Sequence, residues 1–278
     1  MTITVDRTDA RTPSRLTMAL HDGLVITKRN LLQTTRVPEL LLFTTLQPVM
    51  FVLLFAYVFG GAIPIPGGGS YREFLMAGIF VQTIAFNGAS TAVGMAEDMQ
   101  KGLVDRFRSL PMAHSAVLVG RTIADLLRGV LVLVVMSICG FLVGWRIHNG
   151  IAKALLAYLL ILGFGFAMSW IGAWIGLKSP TTEVANSAGF IWLFPMTFLS
   201  NAFVPLTGMP SVLQTIAVWN PVSAVVAAAR DLFGNPNPYV GDALPEQYPI
   251  LISIGWILVI LAVFVPLSVR AYRRTSSR

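Results

Sequence analysis

Residues 154–177 have the sequence ALLAYLLILGFGFAMSWIGAWIGL, and none of them is Asp, Glu, Lys, Arg or His. An α-helix rises 1.5 Å per residue, so about 20 mostly apolar residues cross ~30 Å of hydrocarbon. Five further runs share this lack of charged side chains: residues 40–71, 74–96, 129–145, 184–229 and 247–269. The pattern predicts an all-α, polytopic membrane protein with six transmembrane helices.

The overall composition agrees with that fold class. Only 12% of the residues are charged, 55% are hydrophobic, and the mean hydropathy is +0.72. A soluble protein has about 25% charged residues, and its buried helices are usually amphipathic and shorter. The single cysteine, Cys139, lies in an apolar run, so we expect neither a disulfide framework nor a metal cluster.

The positive charges predict the orientation in the membrane. With a cytoplasmic N-terminus and six crossings, 16 of the 20 Lys and Arg residues fall on the cytoplasmic side. The positive-inside rule favours this arrangement, with both termini cytoplasmic. The net charge of +7 therefore indicates contact with anionic membrane lipids, and we expect no nucleic-acid partner.

The chain divides into three segments by the same pattern. Residues 1–37 are predicted to form a cytoplasmic tail and an amphipathic helix in the membrane interface. Residues 38–270 form the six-helix transmembrane domain, and residues 271–278 form a basic cytoplasmic tail. The run 184–229 is too long for one span, and Pro205, Gly208 and Pro210 interrupt it. Asn220-Pro221 has the order of a helix start, which predicts an external re-entrant helical hairpin over residues 205–235.

Two pairs of glycines have the Gly-x-x-x-Gly spacing, at positions 140 and 144 and at positions 172 and 176. Small residues at this spacing let two helix backbones approach closely. The sequence does not distinguish packing within the subunit from packing between subunits.

The sequence carries no motif for catalysis. It lacks a G-x-x-x-x-G-K-[ST] phosphate loop, an H-E-x-x-H motif and paired C-x-x-C motifs, so we expect no enzymatic activity. The six charge-free runs also lack the Asp, Glu or His that an ion-driven carrier usually places in the membrane. Backbone carbonyls and Ser, Thr or Asn side chains can bind sodium, so an ion-coupled carrier stays open as an alternative.

The connection between the second and third spans is the candidate contact with a cytoplasmic partner. Over residues 97–111, Met99, Leu103, Phe107 and Leu110 recur at helical spacing on one face. Charged residues occupy the opposite side: Asp98, Lys101, Asp105 and Arg108. Such an amphipathic helix could dock into a partner or could be an ordinary solvated loop helix.

A resemblance to a known family favours the first alternative. The stretches 94–112, GMAEDMQKGLVDRFRSLPM, and 120–125, GRTIAD, closely resemble the signature of daunorubicin-resistance-type permeases, the membrane subunits of ABC-2 (type V) exporters. The resemblance covers nearly the whole chain. It implies a bacterial inner (plasma) membrane location, and a dimer of permease subunits bound to two separate ATPase subunits. ATP and Mg would bind to those ATPases, and none would bind to this chain directly.

The resemblance also implies roles for particular residues. The family signature maps onto the coupling segment at seven positions: Glu97, Asp98, Gly102, Arg106, Arg108, Leu110 and Pro111. With Lys101 and Asp105 on the same charged side, these are the candidate contacts to the ATPase. Arg121, Asp125 and Arg128 follow at helical spacing, and they could pair with one another or anchor the helix in the interface. The candidate substrate path consists of polar or aromatic residues of the second and fifth spans: Gln82, Asn87, Ser90, Asn186, Phe190, Phe194 and Asn201. Helix packing is the alternative role for each.

These implications define the expected function. The chain would move a hydrophobic or amphipathic molecule, such as a drug-like compound or a lipid, out of the cell with energy from the ATPase. Export of lipid or polysaccharide, ion-coupled transport and a purely structural scaffold are the alternatives. The sequence does not identify the cargo, and it leaves open whether the dimer is a homodimer or a related heterodimer.

Overall fold

The computed structural model describes residues 38–59, 63–102, 116–239 and 241–274, and within these ranges it contains helices and no strand. The all-α fold class is confirmed. The helices are α1 Pro38–Leu54, α2 Tyr71–Gln100, α3 Ala116–Val143, α4 Gly150–Lys178, α5 Thr182–Phe198, α6 Ser211–Val218, α7 Pro221–Phe233, α8 Leu244–Gln247 and α9 Pro249–Arg274. The interfacial helix predicted within residues 1–37 lies outside the described residues.

Four of these helices, α2, α3, α4 and α9, are long and apolar enough to cross a bilayer. A fifth span results if α6 and α7, which are bent by 69° relative to each other, are counted together. The remaining predicted spans correspond to α1 and α5, which have 17 residues each. The π-helical turn Phe55–Phe59 extends α1 by five residues. The complete six-span arrangement therefore stays a prediction.

Helices α2 and α4 pack directly against each other at the centre of the chain, and glycines make their close approach possible. A Cβ atom at Gly172 would overlap the carbonyl oxygen of Gly88, and one at Gly176 would overlap that of Ala92. The glycine pair at 172 and 176 therefore packs within the subunit. Gly140 similarly faces Met76 of α2.

The other helices surround this central pair. Helix α3 packs against α2 and α4, α5 lies along α2, and α9 lies along α4. Helix α7 contacts α2, α4 and α9, so the second half of the bent pair is part of the core. Phe233 of α7, Phe80 of α2 and Trp145, which follows α3, form an aromatic cluster and contact one another at 5.2–6.2 Å between centroids.

Helix α7 begins where its local sequence predicts. The Asn220 side chain accepts a hydrogen bond from the Val222 N–H, and Pro221 occupies the first turn. Gly234 ends the helix with φ of +75°, a conformation that other residues rarely adopt. The two short helices predicted after the fifth span are therefore present, while their position relative to the membrane stays a prediction.

Candidate functional site

The charged end of α2 is the start of the candidate coupling site. Helix α2 continues through Glu97 and Asp98 to Gln100, and Gly102 follows with φ of +62°. The predicted coupling helix over about 97–111 therefore does not begin at residue 97, because residues 97–100 form the last turn of α2. The positive φ of Gly102 ends the helix after that turn.

The remaining predicted coupling residues fall on the next segment. Leu103, Asp105, Arg106, Phe107, Arg108, Leu110 and Pro111 lie outside the described residues. Their assignment stays a prediction. Glu97 and Lys101, in contrast, are described and exposed, and they form an ion pair one turn apart. The hydrogen bond and negative charge of Glu97 raise the pKa of the Lys101 ammonium group.

The position of Asp98 on the charged side of the predicted helix suggested that its side chain lies in water. Instead, the side chain is largely buried. Its carboxylate accepts a hydrogen bond from Arg121 Nη1 of α3 at 2.8 Å. The two side chains are only 14% and 15% exposed. The pattern along 97–111 missed this contact because it assigned Asp98 to a helix separate from α2.

A second polar contact joins the same two helices. Asp125 of α3 accepts a hydrogen bond from the Thr91 hydroxyl of α2 at 2.7 Å, and its other oxygen lies 3.1 Å from Arg128 Nη1. The helical spacing allows Asp125 to pair with Arg121 or with Arg128. The structure contains the Asp125–Arg128 pair, while Arg121 pairs with Asp98. We call the five residues Thr91, Asp98, Arg121, Asp125 and Arg128 the α2–α3 clamp.

The clamp also includes an ionisable group that lies outside the six charge-free runs. Helix α3 begins at residue 116, well before the predicted start of its span at residue 129. Asp125 therefore lies inside a helix long and apolar enough to cross the membrane, with its side chain only 3% exposed. Its pairing with Arg128 compensates the buried charge.

The seven candidate path residues do not form one surface. Gln82, Phe86 and Ser90 are spaced four residues apart and so share one face of α2, which meets α5. Asn87 lies on another side, in a small cavity between α2, α3 and α4 that Asp125 and Ser169 also line. Asn201 follows the end of α5, where its backbone N–H donates to the Ser223 hydroxyl. Asn186 is exposed near the start of α5.

An aromatic stripe runs along α5 and connects it to its neighbours. Phe190, Phe194 and Phe198 stack in sequence at 5.4 and 6.0 Å between centroids, and Phe86 contacts the first two. The series continues through Phe203 to Phe55 at the end of α1. Phe194 and Phe198 are 46% and 54% exposed, so the stripe presents an apolar surface on the outside of the subunit.

The sequence analysis missed the most deeply buried charge in the described residues. Arg230 of α7 has no exposed surface. Its Nε donates to the Phe74 carbonyl at 2.8 Å, and its Nη2 donates to the carbonyls of Asn201 and Ala202 at 2.9 and 3.2 Å. The guanidinium carbon also lies 3.5 Å from the centre of the Phe74 ring. Arg230 comes directly after the charge-free run 184–229. The predicted six-span topology therefore assigned it to an external loop.

Comparison with known proteins gives a family for this arrangement. The family model described as "ABC-2 type transporter" matches residues 22–233, which include the α2–α3 clamp, the aromatic stripe and Arg230. A daunorubicin resistance ABC transporter permease protein, DrrB1 of Streptomyces coeruleorubidus, is 32% identical over 95% of this chain and 90% of its own length.

More distant relatives carry related names. A probable doxorubicin resistance ABC transporter permease protein, DrrC of Mycobacterium tuberculosis, is 23% identical over 95% of both chains. The inner membrane transport permease YadH of Escherichia coli is 22% identical over 83% of this chain and 84% of its own length. The chain is thus similar to whole permeases and not to a fragment of them.

Proposed function

The chain belongs to the ABC-2 type transporter family, and from this premise we propose that it is the membrane-spanning permease subunit of an ATP-driven exporter. Its cargo would be a hydrophobic or amphipathic molecule, either drug-like or a lipid. The resistance permeases among its relatives favour a drug-like cargo. ATP and Mg would bind to separate ATPase subunits, two in each complex, and this chain would hydrolyse no nucleotide.

The observation that carries the coupling role is the position of the α2–α3 clamp. The segment 103–115 connects α2 and α3, and the clamp joins the two helices just beyond its ends. A displacement of this segment by an ATPase would therefore act on two helices of the core. Glu97 and Lys101 are exposed at the end of α2, where they could contact that ATPase.

The aromatic stripe is the candidate surface for the cargo. It is apolar, continuous and exposed on a helix that packs mainly along α2. In a dimer of permease subunits, two such surfaces could line one path. Replacing Phe194 with Ala should lower export of daunorubicin, used as a fluorescent probe, more than Val259→Ala, at a similarly exposed position of α9 that lies outside the stripe.

The proposed topology has six spans and both termini in the cytoplasm of a bacterium, with the chain in the inner membrane. Helices α6 and α7 would form the re-entrant hairpin at the outer face. Single cysteines in a Cys139→Ser background test this arrangement with an impermeant thiol reagent. In intact cells, cysteines at Gly68 and Gly241 should react, whereas those at Lys101 and Ser277 should not. Reaction at residue 277 from outside would contradict the proposed topology.

The energy source is tested by purification. The isolated chain should show no ATPase activity, and affinity purification from its native membrane should recover an ATP-binding partner that restores activity. Transport that follows a sodium or proton gradient without ATP would instead support the ion-coupled carrier, for which Asp125 would be the first residue to examine.

A further inference from the structure

We propose that the α2–α3 clamp holds the ends of α2 and α3 as one rigid unit, in which Arg121 and Asp98 are the positioning residues for the connection between them. In this role the clamp transmits movement of segment 103–115 into the core of the subunit. The inference rests on the proposed function and specifies how coupling would work.

The spacing of the contacts shows why the two helices would move together. Thr91 and Asp98 are seven residues apart on α2, so they lie two turns apart on one face. Arg121 and Asp125 are four residues apart on α3, one turn apart on one face. The higher-numbered residue of α2 pairs with the lower-numbered residue of α3, as antiparallel helices require. Two contacts at different heights resist rotation of one helix against the other, which a single contact would permit.

Burial makes these contacts strong compared with surface ion pairs. The Asp98–Arg121 pair is about 85% shielded from solvent, and the Asp125 side chain is almost completely buried. Solvent and salt screen such pairs much less than exposed ones. Loss of this pair would remove a largely buried ionic contact between the two helices, which costs more than loss of an exposed one. The neighbouring Glu97–Lys101 pair is about half exposed and contributes little to holding the helices.

Gly94 explains how the Arg121 side chain reaches Asp98. A Cβ atom at position 94 would overlap the Arg121 guanidinium group, so the guanidinium lies directly on the α2 backbone. The Arg121 Nε is buried there without a hydrogen-bond partner. Contact with the glycine surface and the ion pair with Asp98 together fix the side chain, and through it the start of α3.

The clamped unit also contacts the candidate path. Helix α2 packs on α5 through Ala89 and Gly189, where a Cβ atom would lie 3.0 Å from the Ala89 Cβ atom. With such close packing, a shift of α2 would shift α5 and its aromatic stripe. The described contacts therefore run from the clamp along α2 to α5 and its aromatic stripe.

The first test replaces the ion pair with a removable covalent link. In a Cys139→Ser chain reconstituted with its ATPase partner, the Asp98→Cys, Arg121→Cys variant should export on the order of tenfold less daunorubicin per ATP hydrolysed, within the usual range of allosteric coupling. A short bifunctional methanethiosulfonate reagent should restore the ratio, and reduction should abolish it again. Full coupling in the unlinked variant, or no recovery after linking, would overturn the proposal.

The second test uses the chain alone, so it decides the clamp even if no ATPase partner is found. Arg121→Gln should increase amide hydrogen exchange at residues 93–100 of the purified chain. Glu73→Gln, which removes a pair of the same 2.8 Å length with His148 near the opposite end of α2, should leave that exchange unchanged. Equal exchange in Arg121→Gln and wild type would contradict the clamp. Failure of the wild type to transport with an ATPase would contradict the proposed function instead.

Discussion

Both ends of α2 are held by arginines from other helices, but the two arginines have different partners. Near its first turn, Arg230 donates to three backbone carbonyls and has no carboxylate within ion-pair distance among the described residues. Near its last turn, Arg121 pairs with the carboxylate of Asp98. The first arrangement provides hydrogen bonds to backbone carbonyls where α5 has ended, while the second joins two intact helices.

The break explains the choice of partners at the Arg230 end. Helix α5 ends at Phe198, and the carbonyls that follow have no helical partner although their residues are partly or fully buried. The Asn220 side chain donates to the carbonyls of Met196 and Leu199 at 2.6 and 2.7 Å, and Arg230 donates to those of Asn201 and Ala202. Both donors belong to the segment that contains α7. The α7 segment thus supplies the donors that the broken end of α5 needs.

The largest effect should follow replacement of Arg230. Arg230→Leu would leave the carbonyls of Asn201 and Ala202 without donors, at a cost of about 1–3 kcal/mol for each unsatisfied group. We expect a large loss of folded chain, measured as the yield of monodisperse protein and its midpoint of thermal unfolding. Arg230→Lys keeps the charge but not the fork of donors, so its loss should be intermediate. Wild-type stability of the Leu variant would mean that the break is satisfied in another way.

A smaller effect is expected at the centre of α2, between the two arginines. Gly172→Ala would force the α2 and α4 backbones apart, and overpacking of this kind costs about 1–3 kcal/mol. Gly163→Ala on the same helix is the matched control, because its Cβ would meet only Ile257 at an ordinary 3.7 Å. Thermal unfolding of the two variants in the same detergent checks the difference. Equal unfolding temperatures would contradict direct backbone contact between α2 and α4.

A single hydrogen bond of the clamp should matter less than either. Thr91→Val removes the donor to Asp125 but leaves Asp125 paired with Arg128, so we expect a loss of about 1 kcal/mol. Thr215→Val, at an exposed position of α6, should change stability by less. If Thr91→Val lowers stability as much as Arg230→Leu, the proposed difference in stabilisation between the two ends of α2 is wrong.

The smallest effect is expected for a contact between a carboxylate and a histidine that water reaches. Glu73 and His148 lie 2.8 Å apart, but the histidine is half exposed. Exposed pairs contribute about 0–1 kcal/mol, so Glu73→Gln should barely change the unfolding midpoint at low salt and even less at high salt. A large decrease in the unfolding midpoint that does not depend on salt would show that the stabilisation from these contacts does not follow their solvent exposure.

The sequence predicted the helical class and the start of α7, because charge-free runs and capping residues are local signals. It also predicted that the glycine pair at 172 and 176 allows close packing. It did not predict the partners of Asp98, Arg121 and Arg230, because these contacts join residues 23 to 156 positions apart. Helical spacing along 97–111 even favoured a solvent-facing Asp98. Such pairings depend on how two helices are rotated against each other, which periodicity within one helix does not contain.

Reconstitution into proteoliposomes tests the central claim, that this chain forms a path whose energy comes from a separate ATPase. Daunorubicin transport is measured with the chain alone, with the co-purified ATPase alone and with both, each with ATP or with a non-hydrolysable analogue. We expect transport only when both proteins and hydrolysable ATP are present. Equal transport by the chain alone, driven by an ion gradient, would contradict it.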